Sequence, residues 1–335
     1  MVWLKFLVCL VIILFAGTKL ARYGDAIAEK TGLGRIWIGL VLLAFITSMP
    51  ELVTGVSAVV LLKLPNLALG TFLGSCIFNL AIIAVLDILY RPAPLLSRVR
   101  TGHLLPAALG ILLISLAAGS ILAGETFSGL ALGWVGIPSI IIFMLYLLVI
   151  RQMFYYERHY QPQPEATVSP KQYAGLSNKT VYLRFTLAAL AIIGAGIWLS
   201  FIGDEIATTY SWSASFVGSL FLAVATSMPE LVVTVAAVRL GAMDMAVATI
   251  LGANMLNIAK IFIVDLFYRQ APILSSVESD HIITAVVAIV MTLVVIVGLR
   301  FRQKQKTFRF ISWYGVVLIG LSLLGFYTIY SAGSG

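Results

Sequence analysis

The sequence predicts an all-α integral membrane protein with ten transmembrane helices, arranged as two inverted five-helix repeats. Three observations carry that prediction. Of 335 residues, 61% are hydrophobic and 11% charged, with mean hydropathy +1.04; soluble domains carry roughly 25% charge. The apolar stretches run unbroken for about 20 residues, as membrane-crossing helices do, and lack the ten-residue alternation of barrel strands. The chain also repeats itself, with an odd number of spans in each half. This composition excludes a soluble enzyme, a nucleic-acid binder and a disordered chain. The net charge of +8 reads as cytoplasmic loop charge.

The spans are read at 2–20, 34–62, 66–90, 103–122, 129–150, 182–201, 213–238, 243–268, 281–299 and 310–330. Met1–Leu20 lacks a convincing small-x-small cleavage site and matches a later segment, so it is read as a span and not as a signal peptide. Cys9 and Cys76 lie in apolar runs, which argues against a disulfide. Residues 1–150 form the first repeat, with its motif region at 39–91. Residues 182–330 form the second, with its motif region at 218–269. Between them, 151–181 holds Gln161-Pro-Gln-Pro-Glu and Ser169-Pro and reads as an extended polar linker.

The basic residues fix the orientation. With the N-terminus outside, 18 of the 22 Lys and Arg fall in inner loops and three, Lys5, Lys63 and Arg269, fall outside. That bias places both termini outside and the linker in the cytoplasm. A prokaryotic cytoplasmic membrane is the simplest location.

The repeat is read directly. Ala44-Phe-Ile-Thr-Ser-Met-Pro-Glu-Leu-Val recurs 179 positions later as Ala223-Val-Ala-Thr-Ser-Met-Pro-Glu-Leu-Val. Gly24-Asp25 meets Gly203-Asp204, and Gly39 meets Gly218, at the same offset. After one deletion the offset is 178. Gly74-Ser-Cys-Ile-Phe-Asn79 then meets Gly252-Ala-Asn-Met-Leu-Asn257, Asp87 meets Asp265 and His103 meets His281. Five spans per repeat turn the second half over in the membrane, an architecture that places a substrate site near the midplane between the repeats.

Glu51 and Glu230 lie inside apolar spans, where a carboxylate is costly and marks a functional pathway. Symmetry brings both to one depth, where they repel unless a cation lies between them. Calcium, a hard ion with 6–8 oxygen ligands, suits the oxygens on offer. Thr47 and Ser48 share the helix face of Glu51, as Thr226 and Ser227 share that of Glu230. Pro50 and Pro229 leave the carbonyls of Ile46 and Ala225 without their helical donors. Ser75 and Asn79 add a hydroxyl and an amide from the next span; the second half offers two amides, Asn254 and Asn257, with Ala253 in place of the serine. A lone buried Glu could be merely structural; two in duplicated Thr-Ser-x-Pro-Glu segments argue for a site. Asp87 and Asp265 read as interfacial anchors, Asp25 and Asp204 as helix caps at loop edges, and His103 and His281 as surface residues.

These motifs resemble the calcium/cation antiporter superfamily, and most closely its sodium/calcium exchanger branch. The resemblance covers nearly the whole chain. It implies a secondary antiporter, not an enzyme, with no cofactor, that exports calcium for sodium by alternating access. Its partners are small cations and the lipid bilayer, with no nucleic acid. By resemblance, Glu51 and Glu230 ligate calcium with help from Thr47 and Thr226. Sodium uses the Ala44 and Ala223 carbonyls, Ser48, Ser227, Ser75 and the same glutamates. Asn79 and Asn257 line the middle, and the first and sixth spans slide as a two-helix bundle.

The sequence departs from the pattern at five positions. Ile46 and Ala225 replace the motif glycine, Cys76 replaces an asparagine, Ala253 removes a hydroxyl, and Lys260 stands one turn after Asn257 where the repeat mate is Ile82. Three readings of Lys260 stand open: it packs outward toward lipid headgroups, it is a tethered cation in a sodium position, or it titrates in a proton-coupled cycle. A proton/calcium exchanger and a non-transporting sensor or degenerate exchanger are the alternative functions. An intramembrane hydrolase is disfavoured, because no His-Glu-x-x-His, aspartate pair or Ser-His pair lies at depth.

Overall fold

A computed structural model describes residues 1–31, 44–124, 130–160, 175–239, 241 and 243–332. Among the described residues the regular structure is helical apart from one small hairpin. Helix α1 (Val2–Thr31) is followed by α2 (Ala44–Thr47) and α3 (Met49–Ser57), which closes in a π-helical turn at Ala58–Leu62. Next come α4 (Pro65–Leu89) and α5 (Leu104–Ala123). The hairpin of β1 (Ala131–Leu132) and β2 (Val135–Gly136) leads into α6 (Ile137–Tyr160).

The second half begins with α7 (Asn178–Tyr210). Short α8 (Ala214–Val217), a π-helical turn at Gly218–Leu222, α9 (Ala223–Thr226) and α10 (Met228–Arg239) follow. Then come α11 (Met243–Phe267), α12 (Asp280–Arg300) and α13 (Trp313–Ala332). Among the described residues seven helices are long and apolar enough to span a bilayer, and the α8–α10 stretch, bent by 43°, makes an eighth. Two shorter apolar helices, Met49–Leu62 and Ile137–Gln152, stand where the second and fifth spans are expected. Residues 34–43 of the expected second span, with Gly39, lie outside the described residues.

Several boundaries differ from the sequence reading. α1 extends past Leu20 to Thr31, and α7 extends past residue 201 to Tyr210. Neither extension contains proline, the residue that stops a helix most firmly. The expected span at 129–150 begins only at Ile137, because Gly133 at φ 69° turns a hairpin ahead of it. The linker is helical at both ends. α6 continues to Tyr160, and α7 starts at Asn178, where the Ser177 side chain accepts from the Thr180 N–H. Residues 161–174 lie outside the described residues. Asp204 lies within α7 and caps nothing. Asp25 lies within α1, and its side chain is outside the described set.

Helices α4 and α11 form the centre, with 72% and 83% of their most apolar windows buried, against 33% and 39% for α1 and α7. Small residues let the central helices approach their neighbours. A Cβ on Gly218 would lie 2.5 Å from the Leu67 carbonyl, and one on Gly70 would lie 2.7 Å from that of Ser215. α1 and α7 pack along each other outside this centre. Lys5 pairs with Glu205 at 2.6 Å, and Trp3 Nε1 donates to Tyr210 Oη at 2.7 Å. The pair meets the interrupted helices through repeat-related glycines. A Cβ on Gly17 would lie 2.5 Å from Pro229, and one on Gly196 would lie 2.9 Å from Val53.

Asp87 and Asp265 are fully buried, not interfacial. Each clasps the loop that follows its own helix. Asp87 accepts from Leu95 N at 2.8 Å, Ser312 N at 2.7 Å, Ser312 Oγ at 3.0 Å and the Tyr314 hydroxyl. Lys306 Nζ lies 3.8 Å from its Oδ2, with the ammonium held below its ordinary range by burial and partly restored by Asp87. Asp265 accepts from Ile273 N at 2.7 Å, Gly136 N at 2.9 Å and Ser139 Oγ at 2.6 Å. Buried carboxylates persist only with such donors.

A second pair of clasps joins the halves. His103 Nε2 and Arg100 N meet Asp244 Oδ1 at 3.0 and 2.7 Å. Their repeat mates, His281 Nε2 and Glu278 N, meet Asn66 Oδ1 at 3.2 and 2.9 Å. His281 is therefore buried and not a surface residue, because Asn66 and Ser215 cover it. Asp265→Ala removes three hydrogen bonds to a buried charged acceptor. We expect a loss of about 3 kcal/mol, read as a lower melting temperature in detergent. An unchanged melting temperature would show that packing alone holds the loop.

Candidate cation site

The site grows from two breaks in helix geometry. Ser48, between α2 and α3, sits at φ −87°, ψ 11°; Ser227, between α9 and α10, sits at φ −88°, ψ 7°. Each break falls two residues before the proline, so each proline starts a new helical segment in the first turn, where its missing N–H costs nothing. The helices break although Ile46 and Ala225 stand in place of glycine, because the break needs no positive φ. Each new segment carries its glutamate, Glu51 or Glu230, in the first turn, where the helix dipole favours a negative charge.

The two halves then exchange hydrogen bonds. Ser48 Oγ donates to Glu230 Oε1, and Ser227 Oγ donates to Glu51 Oε1, each at 2.9 Å. All four residues are buried. Each carboxylate keeps a second oxygen, Oε2, that is buried and without a hydrogen-bond partner. Thr47 and Thr226 are buried; the Thr47 hydroxyl donates to the Ala44 carbonyl at 3.3 Å, and the Thr226 hydroxyl donates to the Leu222 carbonyl at 2.9 Å, with the Ala223 carbonyl farther off at 3.3 Å. The Ala44 and Ala223 carbonyls accept the N–H of Ser48 at 3.1 Å and of Ser227 at 3.0 Å. Both lone pairs of Ala44 O are thus engaged.

The central helices complete the enclosure. Asn79 Nδ2 donates to Asn254 Oδ1 at 3.1 Å, and Asn254 Nδ2 donates to the Cys76 carbonyl at 3.2 Å. Ser75 Oγ, Asn79 Oδ1 and Asn257 Nδ2 are buried without partners. Cys9 and Cys76 are both free thiols. Lys260 is 2% exposed, so it does not pack toward lipid; its Nζ donates to Asn257 Oδ1 at 2.8 Å. Asn257 lies one turn earlier on the same face of α11, which turns the lysine inward. The ammonium interacts electrostatically with both Glu51 and Glu230.

The structure therefore joins Glu51 to Ser227, Glu230 to Ser48, and Asn257 to Lys260. Ser75 makes no direct hydrogen bond to the other candidates. Two residues escaped the sequence reading. Phe72 presents its ring 5.9 Å from Lys260 Nζ. Ser219 Oγ is buried and unpartnered, and a Cβ on Gly74 would collide with the Ser219 backbone. Ser219 lies four and eight residues before Ala223 and Ser227, a helical spacing that could have found it. Among the described residues no group of three or more His, Cys, Asp or Glu side chains is placed to hold a metal ion. The donors present are two carboxylates with hydroxyl and amide oxygens, which suit hard cations and not soft ones.

Buried, interrupted helices that face two carboxylates toward one enclosure define a membrane transporter of hard cations. Residues 1–151 and 180–334 match the sodium/calcium exchanger protein family, and the chain belongs to it; it is a multi-pass membrane antiporter of cations and not an enzyme. The chain is 30% identical to inner membrane protein YrbG of Escherichia coli (strain K12) over 258 residues, 75% of each chain. Its fold is similar to that of the sodium-calcium exchanger NCX_Mj, with a TM-score of 0.63 at 19% identity, covering 98% of this chain and 99% of that one. It is also similar to that of YfkE, with a TM-score of 0.67 at 16% identity, covering 97% and 92%.

The Asn79–Asn254–Cys76 link couples α4 to α11 across the site. Interhelical hydrogen bonds in membranes contribute about 0.6 to 1.7 kcal/mol each. Asn254→Leu, which loses two, is expected to cost roughly 1 to 3 kcal/mol, seen as a lower melting temperature. No shift would mean that apolar packing alone joins the two helices.

Proposed function

We propose that this protein exports calcium in exchange for sodium by alternating access, with ten spans in two inverted five-helix repeats. In this reading residues 1–150 and 182–330 are the repeats, 151–181 is a cytoplasmic linker, and both termini lie outside a prokaryotic cytoplasmic membrane. The two family matches fall on either side of the linker, which supports the division. The observation that carries the reading is the reciprocal pair Ser48–Glu230 and Ser227–Glu51, each carboxylate keeping one buried oxygen unpartnered.

Calcium binds between Glu51 and Glu230, whose paired charges it neutralises. Thr47, Thr226, Asn79 and Asn257 complete its oxygen shell. Sodium uses the same carboxylates with Ser48, Ser227 and Ser75. A sodium ion at the Ala44 carbonyl must displace the threonine hydroxyl now bonded there. α1 and α7 slide together over the interrupted helices, on the surfaces of Gly17 and Gly196, and open the site to one side at a time.

The experiment is calcium-45 uptake into proteoliposomes loaded with sodium and diluted into sodium-free buffer at fixed pH. Uptake should require internal sodium and fall to the protein-free background in both Glu51→Gln and Glu230→Gln. Uptake driven only by an imposed proton gradient would assign the coupling to protons. No flux under either gradient would remove calcium as the substrate.

A further inference from the structure

We propose that the Lys260 ammonium is a built-in cation of the transport site, occupying one position that a free sodium ion would otherwise fill. Both consequences drawn below rest on the function proposed above, in which sodium and calcium share this site.

Charge and hydrogen-bond demand lead to this assignment. A buried ammonium in a membrane protein needs acceptors or a route to the headgroups. Lys260 is buried and has no such route. It has three donors, and the one given a partner goes to Asn257 Oδ1 at 2.8 Å. The same enclosure holds two unpartnered carboxylate oxygens, Glu51 Oε2 and Glu230 Oε2, and the ammonium interacts electrostatically with both residues. The remaining side of the charge faces the Phe72 ring, 5.9 Å from its centroid, a surface that attracts cations. An amide oxygen, an aromatic face and nearby carboxylates are the surroundings a weakly held monovalent cation takes.

The repeat supplies an internal control. At the equivalent position of α4 stands Ile82, which is also buried. Lysine at this place is therefore not required to build the helix or pack the centre. It places one positive charge on one side of a nearly two-fold site. Two carboxylates and one fixed ammonium leave a net charge of −1, so one monovalent ion neutralises the site and a divalent ion overshoots it. A neutral residue at 260 would restore −2, the charge that one calcium ion matches. Lys260 thus lowers the number of sodium ions bound and weakens the hold on calcium, which speeds calcium release.

The test counts sodium directly. Sodium-22 binding at saturation is measured on purified protein in detergent for wild type, Lys260→Gln and Lys260→Arg. Lys260→Gln should bind one more sodium ion per chain than wild type. Lys260→Arg, which keeps the charge, should match wild type. Calcium-45 binding in the absence of sodium should tighten roughly tenfold in Lys260→Gln, the scale of one unit charge removed from a partly screened site. Equal, non-zero sodium counts in wild type and Lys260→Gln would overturn the proposal, as would an extra sodium ion in Lys260→Arg; no sodium bound in any form would overturn the sodium coupling proposed above and this assignment with it. If Lys260→Gln does not fold, Lys260→Met is measured in the same way. Absence of calcium binding in every form would sink the calcium reading, while the sodium counts would still decide the role of Lys260.

Discussion

Two carboxylates buried within one low-dielectric enclosure set the terms for the rest of the molecule. Left alone, Glu51 and Glu230 would repel each other and pull water into the membrane. The fold answers with a serine hydroxyl from the opposite half for each, the first turn of a restarted helix under each, and an ammonium held near both. None of these fully satisfies the carboxylates, since each keeps an unpartnered oxygen. A site that exchanges ions needs this partial compensation. Full satisfaction would exclude the cargo, and none would unfold the centre.

The surrounding architecture keeps that incomplete site intact. α4 and α11 are the most buried helices and are joined to each other by the Asn79–Asn254 amide pair. The deeply buried Asp87 and Asp265 tie the ends of these helices to the loops beyond. Outside this frame, α1 and α7 meet the interrupted helices at Gly17 and Gly196, where the Pro229 and Val53 side chains pack against bare backbone and Thr54 Oγ1 donates to the Gly196 carbonyl at 3.3 Å.

Much of this was legible in the sequence because duplication acts as an alignment. The recurrence of Thr-Ser-Met-Pro-Glu located the helix breaks, the carboxylates and the serines, and the apolar runs located the long helices. What the sequence hid depended on contacts between distant segments. Asp87, Asp265 and His281 stand near span ends, where polar residues usually meet water. Only the fold reveals that Leu95, Ile273 and Asn66 reach them. Lys260 likewise kept an outward, lipid-facing reading until its burial beside Asn257 removed it. The hairpin before α6 and the helical ends of the linker were missed because turn chemistry at Gly133 and helix propensity near Arg151 are weak signals beside strong hydropathy.

The histidine clasps bear on a question of balance. A molecule with perfect two-fold equivalence would have its two facing states at equal energy, like a seesaw with identical weights. Here one clasp closes on a carboxylate, Asp244, and its counterpart on a carboxamide, Asn66. The second clasp keeps its charge one step away, on Glu278, whose Oε2 accepts from the Ser215 hydroxyl that also meets His281. The two clasps match in backbone and histidine and differ in where the charge sits. In this chain the weights are therefore close in shape and unequal in kind.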